Sequence, residues 1–129
     1  WIHNPKYHSG ISTSISAGVT ELPDQLDGMV LCLGDMPWVS DRQINRLIDG
    51  FRPDAVRVAC FGKRRGHPAL FPRAWFEKLL ALTGDDLARC LFDHLASAVV
   101  EVPMANDAVL RDVDYEEDLM PTPVGMIAQ

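Results

Sequence analysis

A chain of 129 residues, 47% hydrophobic and 23% charged, has the size and composition of one soluble globular domain with a core of its own. Its formal charge of −6 argues against nucleic-acid binding, which draws on clustered Lys and Arg; the one dense basic run is Lys63-Arg64-Arg65. No apolar stretch approaches the ~18 residues of a membrane span. Trp1-Ile2-His3-Asn4-Pro5 lacks both the basic and the apolar region of a secretory leader, so a cytoplasmic protein without a membrane partner is expected.

Along the chain, apolar strand-like runs alternate with helical patterns, which predicts an α/β sheet. Trp1 to His3 reads as the tail of a strand that stops at Asn4-Pro5, because the residue before a proline is pushed out of the helical region. A helix is predicted over about Ser12 to Glu21. Met29-Val30-Leu31-Cys32-Leu33 is a continuous apolar run ended by Gly34-Asp35, the pattern of a strand buried on both faces of a parallel sheet. Val30 to Leu33 is therefore expected in the central strand. Ser40 with Gln43 three residues on forms a capping box, and Ile44, Leu47 and Ile48 then make an apolar stripe closed by Gly50.

Ala55 to Phe61 is the next predicted strand, and Gly62 to Gly66 a basic turn. Ala69-Leu70-Phe71 then pairs back as a short or edge strand, limited by Pro68 and Pro72. Helices are predicted over about Trp75 to Leu82 and Asp85 to Leu95, and a strand over Val99 to Val102. Val109 to Asp114 reads as extended and Glu116 to Leu119 as a short acidic helical turn. Residues 121–129, with two prolines and a glycine, read as a surface tail.

Cys32, Cys60 and Cys90 are odd in number, widely spaced and set among apolar neighbours, which predicts reduced core residues rather than a disulfide framework or a zinc site. Metal chemistry would have to use oxygen ligands. Asp35 follows a buried strand directly, and ligands in open α/β sheets bind beyond the carboxyl ends of strands. A Gly-Asp turn without a ligand gives the same local sequence. Strand alternation would put Asp112 and Asp114 on one face, where a carboxylate could meet Asp35 across a hydrated Mg²⁺ at a separation of roughly 4 to 8 Å. A solvated acidic run would look alike. Gly62 to Pro68 combines glycines with three cations that could attract an anion, and Gly10-Ile11-Ser12-Thr13-Ser14 opens a helix whose free N–H groups could do the same or be simply capped.

In this order and spacing the pieces resemble the molybdenum-cofactor cytidylyltransferase and guanylyltransferase family. The resemblance rests on Asn4-Pro5, Gly10 to Ile15 with Gly18, Leu33-Gly34-Asp35-Met36-Pro37, Gly66-His67-Pro68-Ala69-Leu70-Phe71, Gly84-Asp85 with Ala88-Arg89, and Asp112-Val113-Asp114 with Glu117-Asp118-Leu119. It departs at Leu87, where the family has glycine, and at Tyr115 and Glu116, where it has Thr and Pro.

The resemblance implies a Rossmann-like sheet flanked by helices, of the nucleotide-diphospho-sugar-transferase type, spanning residues 1–129 as a single domain. It implies transfer of CMP or GMP from CTP or GTP to a phosphorylated molybdopterin-type acceptor, with Mg²⁺ on Asp35 and Asp114. It puts Ser12, Ser14 and Gly34 at the nucleotide and Gly66, His67 and Pro68 on the acceptor side, and it suggests a molybdoenzyme as recipient of the product. The family opens with a glycine-rich triphosphate loop that this sequence lacks. The chain is thus expected to be the C-terminal two-thirds of such a domain without its first βαβ unit of roughly 30 residues or more. An exposed sheet edge, covered by a homodimer partner, would follow. The competing reading is a non-catalytic acceptor-binding or assembly module. A phosphatase fits poorly, because Asp41 is misplaced for its second acidic position and no early Asp-x-Asp occurs.

Overall fold

The computed structural model describes residues 1–84 and 98–120. Their strands are β1 (Gly28–Leu31), β2 (Val56–Phe61), β3 (Arg64–Pro72) and β4 (Val99–Pro103), and their α-helices are α1 (Ile11–Thr20), α2 (Asp41–Asp49) and α3 (Phe76–Leu80). The strands form one mixed sheet in the order β1-β3-β2-β4, with β3 antiparallel to both of its neighbours and β4 parallel to β2.

Alternation of side chains along the strands divides the core in two. Val56 and Val58 of β2, with Ala69 and Phe71 of β3, face Ile15 and Val19 of α1 and Leu79 of α3. The intervening Ala59 and Leu70 face the opposite way, towards Leu47 of α2 and Val109. The sheet is therefore flanked by helices on both faces, as an α/β chain requires to cover two apolar surfaces. Phe71, Leu47 and Val109 are fully buried; each contributes about 1.5–3 kcal/mol through the apolar area it removes from water.

The capping box forms at the start of α2, where the Ser40 N–H donates to Gln43 Oε1 at 2.8 Å. Gly50 ends the helix, and the Arg57 side chain reaches over from β2 to donate to the carbonyls of Leu47 and Arg46. Leu47 anchors the apolar stripe, whereas Ile48 stays exposed.

Several expectations are corrected. Trp1 to His3 are exposed and pair with none of the described strands. The Met29–Leu33 run pairs only over Gly28–Leu31; it is antiparallel to β3, half-buried, and at the end of the described sheet rather than at its centre. The hairpin strand is nine residues long and interior, not short or at an edge. Its prolines are tolerated because Pro68 falls in the register shift opposite Val58 to Cys60, where no ladder N–H is required, and Pro72 closes the strand against Gly28. Only Gly62 and Lys63 remain of the basic turn, with Gly62 in the left-handed region at φ 60°. Val109-Leu110 belong to a 3-10 turn, Asp107–Leu110, and not to an extended segment. Cys60 is buried as expected, but Cys32 is exposed because it lies past the last paired residue of β1. The predicted helix at 85–95, Cys90, the Ala88-Arg89 motif and the tail at 121–129 lie outside the described residues.

Candidate functional site

Two chain segments meet at one end of the sheet. The first leaves β1 and turns at Leu33-Gly34-Asp35-Met36, closed by the Met36 N–H donating to the Leu33 carbonyl at 3.3 Å. Met36 is buried and pins the turn, so the preceding Asp35 stays at the surface. The second segment leaves the Asp107–Leu110 turn. That turn is capped by Asn106, whose Oδ1 accepts from the Ala108 N–H and from Gln43 Nε2, both at 3.0 Å. Val109 inserts into the core beneath it, fully buried.

From these anchors Asp35, Asp112 and Asp114 converge, each offering a carboxylate oxygen, with the three oxygens within 4.8 Å of one another. No two of them are thus farther apart than the roughly 8 Å that one hydrated divalent cation can bridge. Asp112 joins the pair singled out from sequence, although its segment is not a strand. The backbone ties the halves together, with the Val113 N–H donating to the Asp35 carbonyl at 2.8 Å. The Arg111 guanidinium lies over the Trp38 ring, 4.0 Å from its centroid. The rest of the acidic run does other work. Asp118 Oδ2 accepts from the N–H groups of Asp114 and Tyr115 at 3.0 and 2.9 Å, capping the short turn Glu116–Leu119.

Three exposed carboxylates so close together repel one another, and all three supply hard oxygen ligands. That donor set suits Mg²⁺ or Mn²⁺ and is unsuited to soft metals.

Gly66, His67 and Pro68 belong to β3. Gly66 lies against the backbone of Val109, so closely that a Cβ there would collide with the Val109 carbonyl oxygen. His67 is half-buried, and its Nε2 is fully buried without a hydrogen-bond partner. Burial pushes the imidazole below its ordinary pKa, while the negative charge of Asp35 acts in the opposite direction. Pro68 is buried after a cis peptide bond.

The residues expected at a nucleotide divide between two grooves. Ser14 and Gly34 line an apolar groove of about 620 Å³ between α1 and β1. Ser12, only 2% exposed, lines a different one with Asn4 and Thr13, and its backbone N–H donates to the Gly84 carbonyl at 3.2 Å. Asn4 Nδ2 donates to Thr13 Oγ1 and Ser14 Oγ, both at 2.9 Å, which ties the Asn-Pro dipeptide to the start of α1. In the basic run, Arg65 is held by Glu101 at 2.7 Å while Lys63 and Arg64 are exposed. Sequence reasoning passed over Trp38 and Arg111, since no spacing rule links residues so far apart in the chain.

Residues 1–99 match the sequence model of a family described as the MobA-like NTP transferase domain. Similar solved structures include an Rv0371c homologue from Mycobacterium sp. strain JC1, at 30% identity and a TM-score of 0.71, with 81% of this chain and 52% of that one covered. Rv0371c from Mycobacterium tuberculosis H37Rv is similar at 28% identity and a TM-score of 0.73, covering 83% and 56%. A complex of Rv0371c with manganese, from the same organism, is similar at 29% identity and a TM-score of 0.67, covering 81% and 56%. The chain thus spans about half the length of these relatives. No curated protein matches it. No helix among the described residues is long and apolar enough to cross a membrane.

Proposed function

The chain belongs to the MobA-like NTP transferase domain family, and from that premise we propose that it forms part of a divalent-metal-dependent nucleotidyltransferase acting on a molybdopterin-type acceptor. In this reaction a terminal phosphate oxygen of the acceptor attacks the α-phosphorus of CTP or GTP. The bond to the β-phosphate breaks as the new phosphoanhydride forms, and pyrophosphate leaves. A molybdoenzyme would receive the finished cofactor.

The observation that carries this reading is the convergence of Asp35, Asp112 and Asp114 within 4.8 Å. Nucleotidyl transfer depends on positioning and on neutralising oxygen charge, and a Mg²⁺ or Mn²⁺ bound by these carboxylates supplies that neutralisation. The manganese complex of Rv0371c supports a divalent-metal requirement. Asp35 and Asp114, joined by Asp112, are assigned to hold the ion. Ser14 and Gly34 face the nucleotide, and buried Ser12 supports the start of α1 from beneath. On the acceptor side, Gly66 lets β3 approach the carboxylate-bearing segment. Burial holds the His67 imidazole below its ordinary pKa, and its Nε2, buried and without a partner, supports the acceptor-side wall from within rather than touching the acceptor directly.

The sequence has no glycine-rich loop to orient a triphosphate. The 129-residue chain alone is therefore expected to turn over no nucleotide, whereas the protein completed by such a loop releases pyrophosphate with Mg²⁺ and molybdopterin. Pyrophosphate release with CTP and with GTP, on the chain, the completed protein and its Asp35→Ala variant, tests this. The variant is expected to lose turnover and keep its fold. Robust release from the chain alone, or full activity in Asp35→Ala, overturns the reading.

A further inference from the structure

We propose that Arg111 and Trp38 are positioning residues whose stack clamps the segment bearing Asp112 and Asp114 against the segment bearing Asp35. The proposal rests on the metal-site reading above. The two segments are far apart in sequence, and each carries negative charge to a point where the other carries more. Repulsion pushes them apart whenever no cation lies between them. One backbone hydrogen bond, from the Val113 N–H to the Asp35 carbonyl, holds them together. The guanidinium of Arg111, 4.0 Å from the Trp38 centroid, adds a second tie, well within the ~6 Å reach of a cation–π contact.

The placement of the pair matches this task. Trp38 comes just after buried Met36, and Arg111 just after the 3-10 turn that buried Val109 anchors. The stack therefore connects the rooted part of one segment to the rooted part of the other, next in sequence to the carboxylates. Both partners are half-buried, which excludes some water and strengthens the contact. Among the described residues Arg111 makes no ion pair with the three carboxylates. Its guanidinium rests on the ring and not on a carboxylate.

This role predicts an effect opposite in sign to that of simple electrostatics. A cation beside a metal site repels the metal, so Arg111→Gln would tighten binding if charge were all that mattered. A clamp predicts weakening. Trp38→Leu removes the clamp but keeps the charge, and Trp38→Phe and Arg111→Lys keep both an aromatic face and a cation.

The test is a Mn²⁺ titration of the chain followed by the electron paramagnetic resonance of the free ion, with thermal unfolding of each variant recorded without metal. Trp38→Leu and Arg111→Gln are expected to bind Mn²⁺ roughly threefold to tenfold more weakly, the change a contact of this kind corresponds to. Trp38→Phe and Arg111→Lys should stay near the parent, and all four should unfold cooperatively. Unchanged or tighter binding in Arg111→Gln or Trp38→Leu, while Asp35→Ala still abolishes binding, overturns the clamp and leaves the metal site standing. A parent chain that binds no Mn²⁺, or an Asp35→Ala variant that binds as well as the parent, removes the metal site and the clamp with it.

Discussion

At the scale of single residues, the charge of Asp35 acts on the buried His67 ring. The imidazole is kept below its ordinary pKa by burial, against the pull of the Asp35 carboxylate. Removing that charge leaves burial unopposed, so Asp35→Asn is expected to lower the His67 pKa further, as read by NMR titration of the ring. A rise would contradict the assignment. The shift also couples to stability. With the folded pKa below the unfolded value of about 6.5, the unfolded chain takes up the proton first. The contribution of neutral His67 is complete above that pH and is lost as pH falls through it towards the folded pKa. Unfolding midpoints measured between neutral and mildly acidic pH should therefore decline, and the decline should be shallower in His67→Gln. The nearness of Asp35 and Asp114 was legible in the sequence, from a carboxylate directly after an apolar run and from the family resemblance that pairs it with Asp114. The separation of Ser12 from Ser14 was not, since helix periodicity, not the shared motif, sends one inward and the other to solvent. Trp38 and Arg111 carry no local signal at all.

At the scale of elements, the strand β3 links the two halves of the site. Gly66 brings it against the Val109 backbone, and the colliding atom is a carbonyl oxygen that cannot rotate away as a side chain could. Gly66→Ala is thus expected to destabilise the fold by about 1–3 kcal/mol, as overpacking does, and to displace the segment that carries Asp112 and Asp114. Urea unfolding with a parallel Mn²⁺ titration checks both parts, and an unchanged midpoint would refute the close approach. The capping box of α2 was legible in full because its signal is confined to four residues, Ser40 to Gln43. The length and interior place of β3 were not. Proline argues against a central strand unless the ladder shifts, and the shift between Val58 and Cys60 is a property of the pairing, not of either strand alone. Of the Val109–Asp114 segment, Val109 and Leu110 depart from the extended reading because such apolar residues look alike in a strand and in a buried 3-10 turn, whereas Arg111 is extended.

At the scale of the whole molecule, the alternation of strands and helices predicted the α/β class, and family membership agrees with it. Strand order and direction were beyond the sequence, since a continuous apolar run such as Met29 to Leu33 suits either direction of pairing. Among the described strands β1 pairs with β3 alone, and its other edge adjoins the groove lined by Ile11, Ile15, Val19, Met29 and Leu31. Unpaired edges beside apolar surface recruit further strands. The chain is expected to self-associate as its concentration rises, which sedimentation equilibrium measures; a strict monomer at all concentrations would speak against an open edge. The central claim is that one divalent ion is held by carboxylates from two distant segments, and it is met most directly by anomalous diffraction from crystals grown with Mn²⁺. A single strong manganese peak is expected in contact with the carboxylates of Asp35, Asp112 and Asp114. A peak elsewhere, or none at those three residues at saturating Mn²⁺, would contradict it.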